Sequence, residues 1–256
     1  MSGGKVTVSG TNYKIIGGKC TIGGTNYTIG RGKTTVSGTN YNIFLKKQTL
    51  TDLLKSAVVQ VRTGRNESTQ GTGSSFTLST AGTYYAFVFY YGYASIYKIV
   101  STGSSMTKTT IKQTNSGYAN LFLDNNYYYY SHNGTAKAST YGFTCAVLRF
   151  PGYTVSQIDA ILGAVTFTRQ SARNGSTAQT LYASASNFYG KIAVVAVNTN
   201  ASFVQYSSTG TATRLFVTSG SMNMLINRDN RIGYSIDTAS TPDFTTTYGG
   251  SLLTMS

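Results

Sequence analysis

One histidine, two cysteines and seven acids are the few His, Cys, Asp and Glu side chains that this 256-residue chain offers for acid–base chemistry or metal binding. His132 stands in the stretch SHNGT with no carboxylate in the local sequence to orient it, so it reads as a solvated loop residue and not as a general base. Metal ligation needs clustered His, Cys, Asp or Glu, and Cys20 and Cys145 stand far apart in the chain. Cys20 occupies a slot that Val6 and Thr34 hold in sister segments, an ordinary strand position, and both cysteines read as free thiols. Paired carboxylates would suit glycoside hydrolysis. Here Asp52 sits at a helix start and Asp124 and Asp229 in Asn-rich turns, contexts that explain them locally. Gly-rich runs such as GTGSS lack the lysine and following helix of a phosphate loop. The expectation is a protein without catalytic residues, metal or cofactor.

Tyrosine is the conspicuous residue, 21 in all, concentrated in YYAFVFYYGY at 84–93 and NNYYYYSHNG at 125–134. Side chains alternate along a strand, so about half of each cluster is expected to pack inward and the rest to be exposed. Tyrosine rings carrying a hydroxyl suit interfaces and stack on sugar faces. Tyr127, Tyr128, Tyr129 and Tyr130, with the following His132, are therefore the candidate contact surface; the other reading is that they fill a core or a subunit interface.

Twenty-one Lys and Arg against seven acids give a net charge of +14. The basic residues are scattered, with LKKQ at 45–48 the only adjacent pair, so the field is diffuse and no polybasic tail exists. Such a field favours an acidic surface or an acidic packing partner. Interleaved Arg, Lys and Tyr also suit single-stranded nucleic acid, but no RNP-like motif or basic stripe appears, and no specific nucleic acid is expected. No run approaches the roughly 18 apolar residues of a membrane span. The first fifteen residues hold no apolar leader segment, so the protein is expected to be made in a cytoplasm without a signal peptide.

The elements that must position these side chains are strands. KVTVSGTNYKIIGG, KCTIGGTNYTIGRG and KTTVSGTNYNIFLK begin at Lys5, Lys19 and Lys33, a fourteen-residue period. Apolar alternation broken by a Gly-Asn turn predicts one β-hairpin per copy. An isolated hairpin is marginal in water, so each copy must lean on a neighbour. Residues 1–47 are thus read as three docking or oligomerisation hairpins, with Tyr13, Tyr27 and Tyr41 as equivalent inward positions. QTLTDLLKSAV predicts a short helical linker over 48–56.

Beyond it, strands of six to nine residues alternate with Ser/Thr/Gly/Asn turns, the spacing of a sandwich. TYYAFVFYYGYASIYKIVSTG (83–103) parallels NFYGKIAVVAVNTNASFVQYSSTG (187–210), and NNYYYYS parallels DNRIGYS, at an offset of 104 to 107 residues. The predicted fold is all-β: hairpin repeats, then two related, jelly-roll-like antiparallel sandwiches in tandem over 57–142 and 143–256. A short helix is expected in the connector FPGYTVSQIDAILGAV, after the turn at Pro151-Gly152.

The opening repeats resemble the Gly-Lys-Thr and Gly-Thr-x-Tyr hairpin repeats of structural proteins from bacteriophages of Gram-positive gut bacteria. The resemblance covers about residues 3–47 and implies a virion component, tail-associated or capsid-decorating. It implies a docking role for the repeats, other virion proteins as partners, and β domains displayed outward. The composite expectation is a homo-oligomeric, non-enzymatic virion protein that touches acidic host cell-wall polysaccharide. The rival readings are a carbohydrate-binding adhesin module of a bacterial surface protein and an enzyme acting on cell-wall polymer.

Overall fold

The computed structural model describes residues 48–65, 76–115, 118–124, 127–131, 143–174, 179–197, 199–218, 223–228, 231–235, 245–246 and 249–256, together with six short N-terminal strands. The chain divides into two compact units, Met1–Thr49 and Leu50–Ser256. In the first, β1 (Lys5–Val8) pairs with β2 (Thr11–Lys14), β3 (Lys19–Ile22) with β4 (Thr25–Thr28), and β5 (Arg31–Val36) with β6 (Thr39–Phe44), all antiparallel. The register is the same each time: Val6 faces Tyr13, Cys20 faces Tyr27 and Thr34 faces Tyr41.

The second unit opens with α1 (Leu50–Lys55), followed by β7 (Val58–Arg65), β8 (Gly82–Tyr90), β9 (Tyr93–Ser101), β10 (Met106–Gln113), β11 (Asn120–Asp124), β12 (Tyr127–Ser131) and β13 (Phe143–Arg149). Then come α2 (Val155–Gly163), β14 (Phe167–Asn174), β15 (Gln179–Thr180), β16 (Ala183–Ser184) and a 3-10 turn (Ala185–Phe188). β17 (Ile192–Val197), β18 (Asn200–Tyr206), β19 (Ala212–Val217), β20 (Asn223–Arg228), β21 (Arg231–Ser235), β22 (Thr245–Thr246) and β23 (Gly249–Met255) complete it. The protein is thus mainly β, built on two five-stranded antiparallel sheets ordered β10-β9-β8-β13-β7 and β14-β23-β17-β18-β19.

Alternation explains how the sheets meet. Tyr85, Phe87 and Phe89 of β8 point to one side with Ile96, Ala146 and Leu148, and join Ile192, Val194, Ala196, Phe203, Leu253 and Met255 of the other sheet in a single buried core. Phe87 meets Phe203 edge-on at 5.9 Å, and Phe89 meets Phe203 and Phe167 at 6.2 and 6.3 Å. The opposite faces are covered too. Tyr84, Ala86, Val88 and Tyr90 pack under Phe76, Leu78 and Leu121, while Ala193, Val195, Val197 and Tyr206 pack under Leu181, Phe188 and Ile232. Tyr84, Tyr85 and Tyr90 are consequently all buried. The expectation that half of this cluster is exposed fails because the sheet is covered on both sides.

From Leu50 on, what the sequence reads as a linker at 48–56 is part of this unit: Leu53 and Leu54 of α1 are fully buried in the shared core. The strand Phe143–Arg149, where the second half was expected to begin, lies between β8 and β7 in the first sheet. Its apolar run FTCAVLRF suits any central strand, so sequence adjacency alone misassigns it. The real junction is the connector, where α2 forms as expected. Thr154 and Gln157 close a reciprocal capping box at its start, and Ile158 and Leu162 are buried on one face.

The internal echo in the sequence is an echo in structure. In each half a helix precedes an edge strand, a central hairpin and a second edge strand, and a final strand inserts between the first edge strand and the hairpin. On β9 and β18, Ala94 and Ala201 donate their N–H to Thr114 Oγ1 (2.9 Å) and Thr218 Oγ1 (2.8 Å), and each accepts the same threonine's N–H. The register of β10 on β9 skips Ile111 and that of β19 on β18 skips Leu215, matching bulges that turn an apolar side chain to the shared core. Gly103 and Gly210 close the STG turns with φ of 92° and 88°. Contacts across the interface are reciprocal: α1 packs on β19, α2 on β10, and the helices on each other.

Candidate functional site

The junction between the halves creates a pocket of about 490 Å³. Its floor is the end of the first sheet: Val58 and Gln60 from β7, Thr83 and Tyr85 from β8, and Arg149 from β13. The wall is the connector, with Phe150, Pro151, Gly152 and Tyr153 turning the chain into α2, whose Val155 and Ile158 close the side. Gly152 adopts φ 85°, the left-handed conformation that lets this turn reverse tightly. In the second half Ser256, just past β23, exchanges backbone hydrogen bonds with Thr166.

Arg149 contributes to the rim, but its guanidinium lies 5.2 Å over the Tyr84 ring, on the sheet face opposite Tyr85. Gln60 sits at the position that the β13–β7 register skips, and its amide donates to Val59 O at 3.2 Å. Tyr85 donates its hydroxyl to Asp159 Oδ1 at 2.8 Å, and Lys98 Nζ is 2.7 Å from Asp159 Oδ2. Burial, then the hydrogen bond to the Asp159 carboxylate and its charge, push the Tyr85 phenol far up, so it stays a neutral donor. Burial also raises the Tyr153 phenol, with a further push from Asp52.

A second cluster gathers where the β8–β9 turn meets the other half. Tyr93 and Tyr118 stack at 4.5 Å and 10°, and Arg169 of β14 lies 4.4 Å over Tyr91 and 6.0 Å from Tyr93. The two-residue turn puts Tyr91 at φ 48° and Gly92 at φ 77°, a backbone costly for a bulky residue. Gly92 donates its N–H to Ser251 Oγ at 2.8 Å, and a Cβ there would meet Arg169 at 2.7 Å. The ring faces are largely spent on one another and on Arg169, so this cluster clamps the halves together.

Tyr127, Tyr128, Tyr129 and Tyr130 form β12, at register positions opposite Asp124, Leu123, Phe122 and Leu121. Their side chains, and His132 altogether, lie outside the described residues, as do the side chains of Tyr13, Tyr27 and Tyr41. Cys145 is a free, buried thiol whose pKa burial raises, which makes it inert packing. Among the described residues no group of three His, Cys, Asp or Glu side chains gathers, and no described helix is long and apolar enough to cross a membrane.

Sequence reading missed Arg149, Tyr85 and Tyr153 as a group because they come from two strands and a connector. The available signal was the Pro151-Gly152 turn between an apolar strand and a capped helix, a place where α2 must fold back over the sheet end. No protein-family model, curated protein or solved structure matches the chain. The pocket joins the aromatic side chains of Phe150 and Tyr153 with the polar side chains of Gln60 and Thr83 at the end of the first sheet.

Proposed function

We propose that the protein is a non-enzymatic structural component of a bacteriophage virion, tail-associated or capsid-decorating, which assembles as a homo-oligomer with other virion proteins. The N-terminal hairpins serve as docking modules, and the following tandem β-sandwich halves are displayed outward. The observation that carries this reading is the repeat itself: three hairpins of one register, each forming a two-stranded sheet of its own among the described strands. Two-stranded sheets of four to six residues leave both edges open and are marginally stable alone. Such modules gain stability by adding to a partner. Deleting residues 1–47 should leave a cooperatively unfolding protein that no longer enters particles; incorporation of the truncated chain at the normal level would refute docking. Joint replacement of Tyr13, Tyr27 and Tyr41 by Ser tests the same point more finely, through lost protease resistance of the first 47 residues.

The net charge of +14 favours a further role in touching acidic host cell-wall polysaccharide, which the adhesin reading shares. Labelled protein on purified particles, located by electron microscopy, separates the two: labelling of tail or capsid supports the virion reading, and its absence from every particle favours the adhesin.

A further inference from the structure

We propose that Tyr189 and the turn beneath it form a stacking platform for one neutral pyranose unit of a polysaccharide, a site apart from the connector pocket. The inference deepens the contact with host cell-wall polysaccharide put forward above, and rests on that reading only for the polymer to which the sugar belongs.

A glycine builds the platform. Tyr189 follows the 3-10 turn Ala185–Phe188, precedes β17 and is 40% exposed. The next residue, Gly190, donates its N–H to Ser207 O at 3.1 Å, which lays this segment beside the STG turn that closes at Gly210. A Cβ added at Gly210 would stand 2.8, 2.9 and 3.0 Å from Cε1, Cζ and Oη of Tyr189. Points equally distant from three bent, bonded atoms lie on a line perpendicular to their plane, so that Cβ would stand over the ring face and not beside its edge. One face of the phenol is therefore seated on a glycine, and the exposed area belongs to the other. A Cβ at Gly190 would meet nothing within 4 Å, so the space beside the ring is open as well. Among the described residues no aromatic ring, cation or hydrogen-bond partner meets the Tyr189 side chain. A flat aromatic face held in place before a ligand arrives suits the C–H face of a sugar.

A hydroxyl donor stands beside it. Ser207 Oγ accepts the N–H of Thr209 at 3.2 Å and that of Thr211 at 2.9 Å, which occupies both of its lone pairs. Its own proton therefore goes to Thr209 Oγ1, 2.9 Å away, and the exposed Thr209 hydroxyl is left to donate outward, one residue from Gly210. The neighbouring basic side chain is engaged, because Lys191 Nζ donates to Asn187 O at 3.1 Å. The ligand that suits this surface is thus a neutral ring with equatorial hydroxyls, whose C–H bonds cover a face that axial hydroxyls would interrupt.

The duplicated half is an internal control. Tyr85 faces Lys98 as Ile192 faces Gln205, so Gly82 and Tyr189, each three residues upstream, correspond. In the first half the STG turn at Gly103 closes against the backbone of Ser79 and Ala81, with no ring. The turn therefore does not need a tyrosine, and Tyr189 is an addition to it.

The test is an NMR titration of the full chain, its tyrosine rings isotope-labelled, with cellotetraose and with sorbitol, which has the hydroxyls but no ring. The Tyr189 signal, assigned by its loss in Tyr189→Phe, should move with a Kd of about 1–10 mM for cellotetraose and at least about tenfold more weakly for sorbitol. In saturation-transfer spectra of cellotetraose, Tyr189→Phe should bind within about threefold of the parent and Tyr189→Ala at least about fivefold more weakly. Gly210→Ala, whose Cβ displaces the ring without touching the sugar, should weaken binding at least about threefold. Raising the salt from about 50 to 500 mM should leave the Kd unchanged, since no charge takes part. A Tyr189 signal unmoved by cellotetraose, an equal response to sorbitol or a Kd that rises steeply with salt overturns the proposal. So does a Tyr189→Ala or Gly210→Ala variant of normal melting temperature that binds as tightly as the parent. Attachment to whole cells is scored separately: sugar binding without cell attachment supports the platform and refutes host contact, and cell attachment without sugar binding does the reverse.

Discussion

The two halves of the Leu50–Ser256 unit share strand order, a helix, a matching bulge, an alanine–threonine clasp and a glycine turn, yet they differ at the positions where they touch. Phe87 is paired with Ile96 in the first sheet, and the corresponding pair in the second is Val194 with Phe203. Large and small residues have changed places, so the facing sheets interlock where identical copies would repeat one shape. A second difference lies at the helices. Thr51 of α1 bonds Gln205 Oε1 at 2.9 Å, whereas Asp159 of α2 bonds Lys98, the strand residue that corresponds to Gln205. A third lies at the turns, where Arg62 bonds Asn200 at 3.1 Å while Arg169 lies over tyrosine rings. Matched positions mark what the fold requires. Mismatched ones mark where the halves were fitted to each other.

The comparison is broken most severely in the shared core. Phe203→Ala should cost about 3–5 kcal/mol, and a single unfolding transition of the unit should move as a whole. Calorimetry showing one half melting while the other keeps its temperature would contradict a common core. Alkaline pH probes the same core. Tyr85, Tyr97 and Tyr206 are pushed up chiefly by burial, so the unfolded chain, with phenols near pH 10, loses these protons first. Stability is full below that pH and should fall above it by up to about 1.4 kcal/mol per pH unit for each tyrosine. Two of the three lie in the first half, opposite Ile192 and Val204 in the second, so Tyr85→Phe with Tyr97→Phe should flatten the alkaline loss more than Tyr206→Phe does.

Smaller effects sharpen the match. Thr218→Val should cost about 1–2 kcal/mol, and Thr114→Val less, because Thr218 is buried and Thr114 is exposed. Equal losses in denaturant titrations would mean that the clasp acts independently of burial. At the helices, Asp159→Asn should cost no more than about 1 kcal/mol, since both partners of the ion pair are about a quarter exposed and solvent-screened. That loss should shrink in high salt. Thr51→Val should show no salt dependence.

Much of this was legible in the sequence. Alternation announced the strands, the parallel segments at 83–103 and 187–210 announced the duplication, and the connector FPGYTVSQIDAILGAV after its Pro-Gly turn announced the second helix. What stayed hidden was which face met which. Alternation tells which side chains share a face but not what covers it, and the unbroken apolar run of β8, buried on both sides, looks like an alternating strand with tyrosines to spare. The strand Phe143–Arg149 was misplaced for a related reason, because its partners β7 and β8 lie far back in the chain. The pocket depends on how the connector folds over the sheet end, a long-range outcome with no local signature beyond the Pro-Gly turn.

The central claim is that the halves fold as one body through a core that neither can complete alone. Its most direct test is to express residues 48–152 and 153–256 as separate chains, alone and together. Together they should co-purify as an equimolar complex with the near-UV circular dichroism and the single unfolding transition of the intact unit, while each alone should be aggregated or lack fixed tertiary signal. Two separately soluble chains, each unfolding cooperatively and showing no association when mixed, would contradict the shared core.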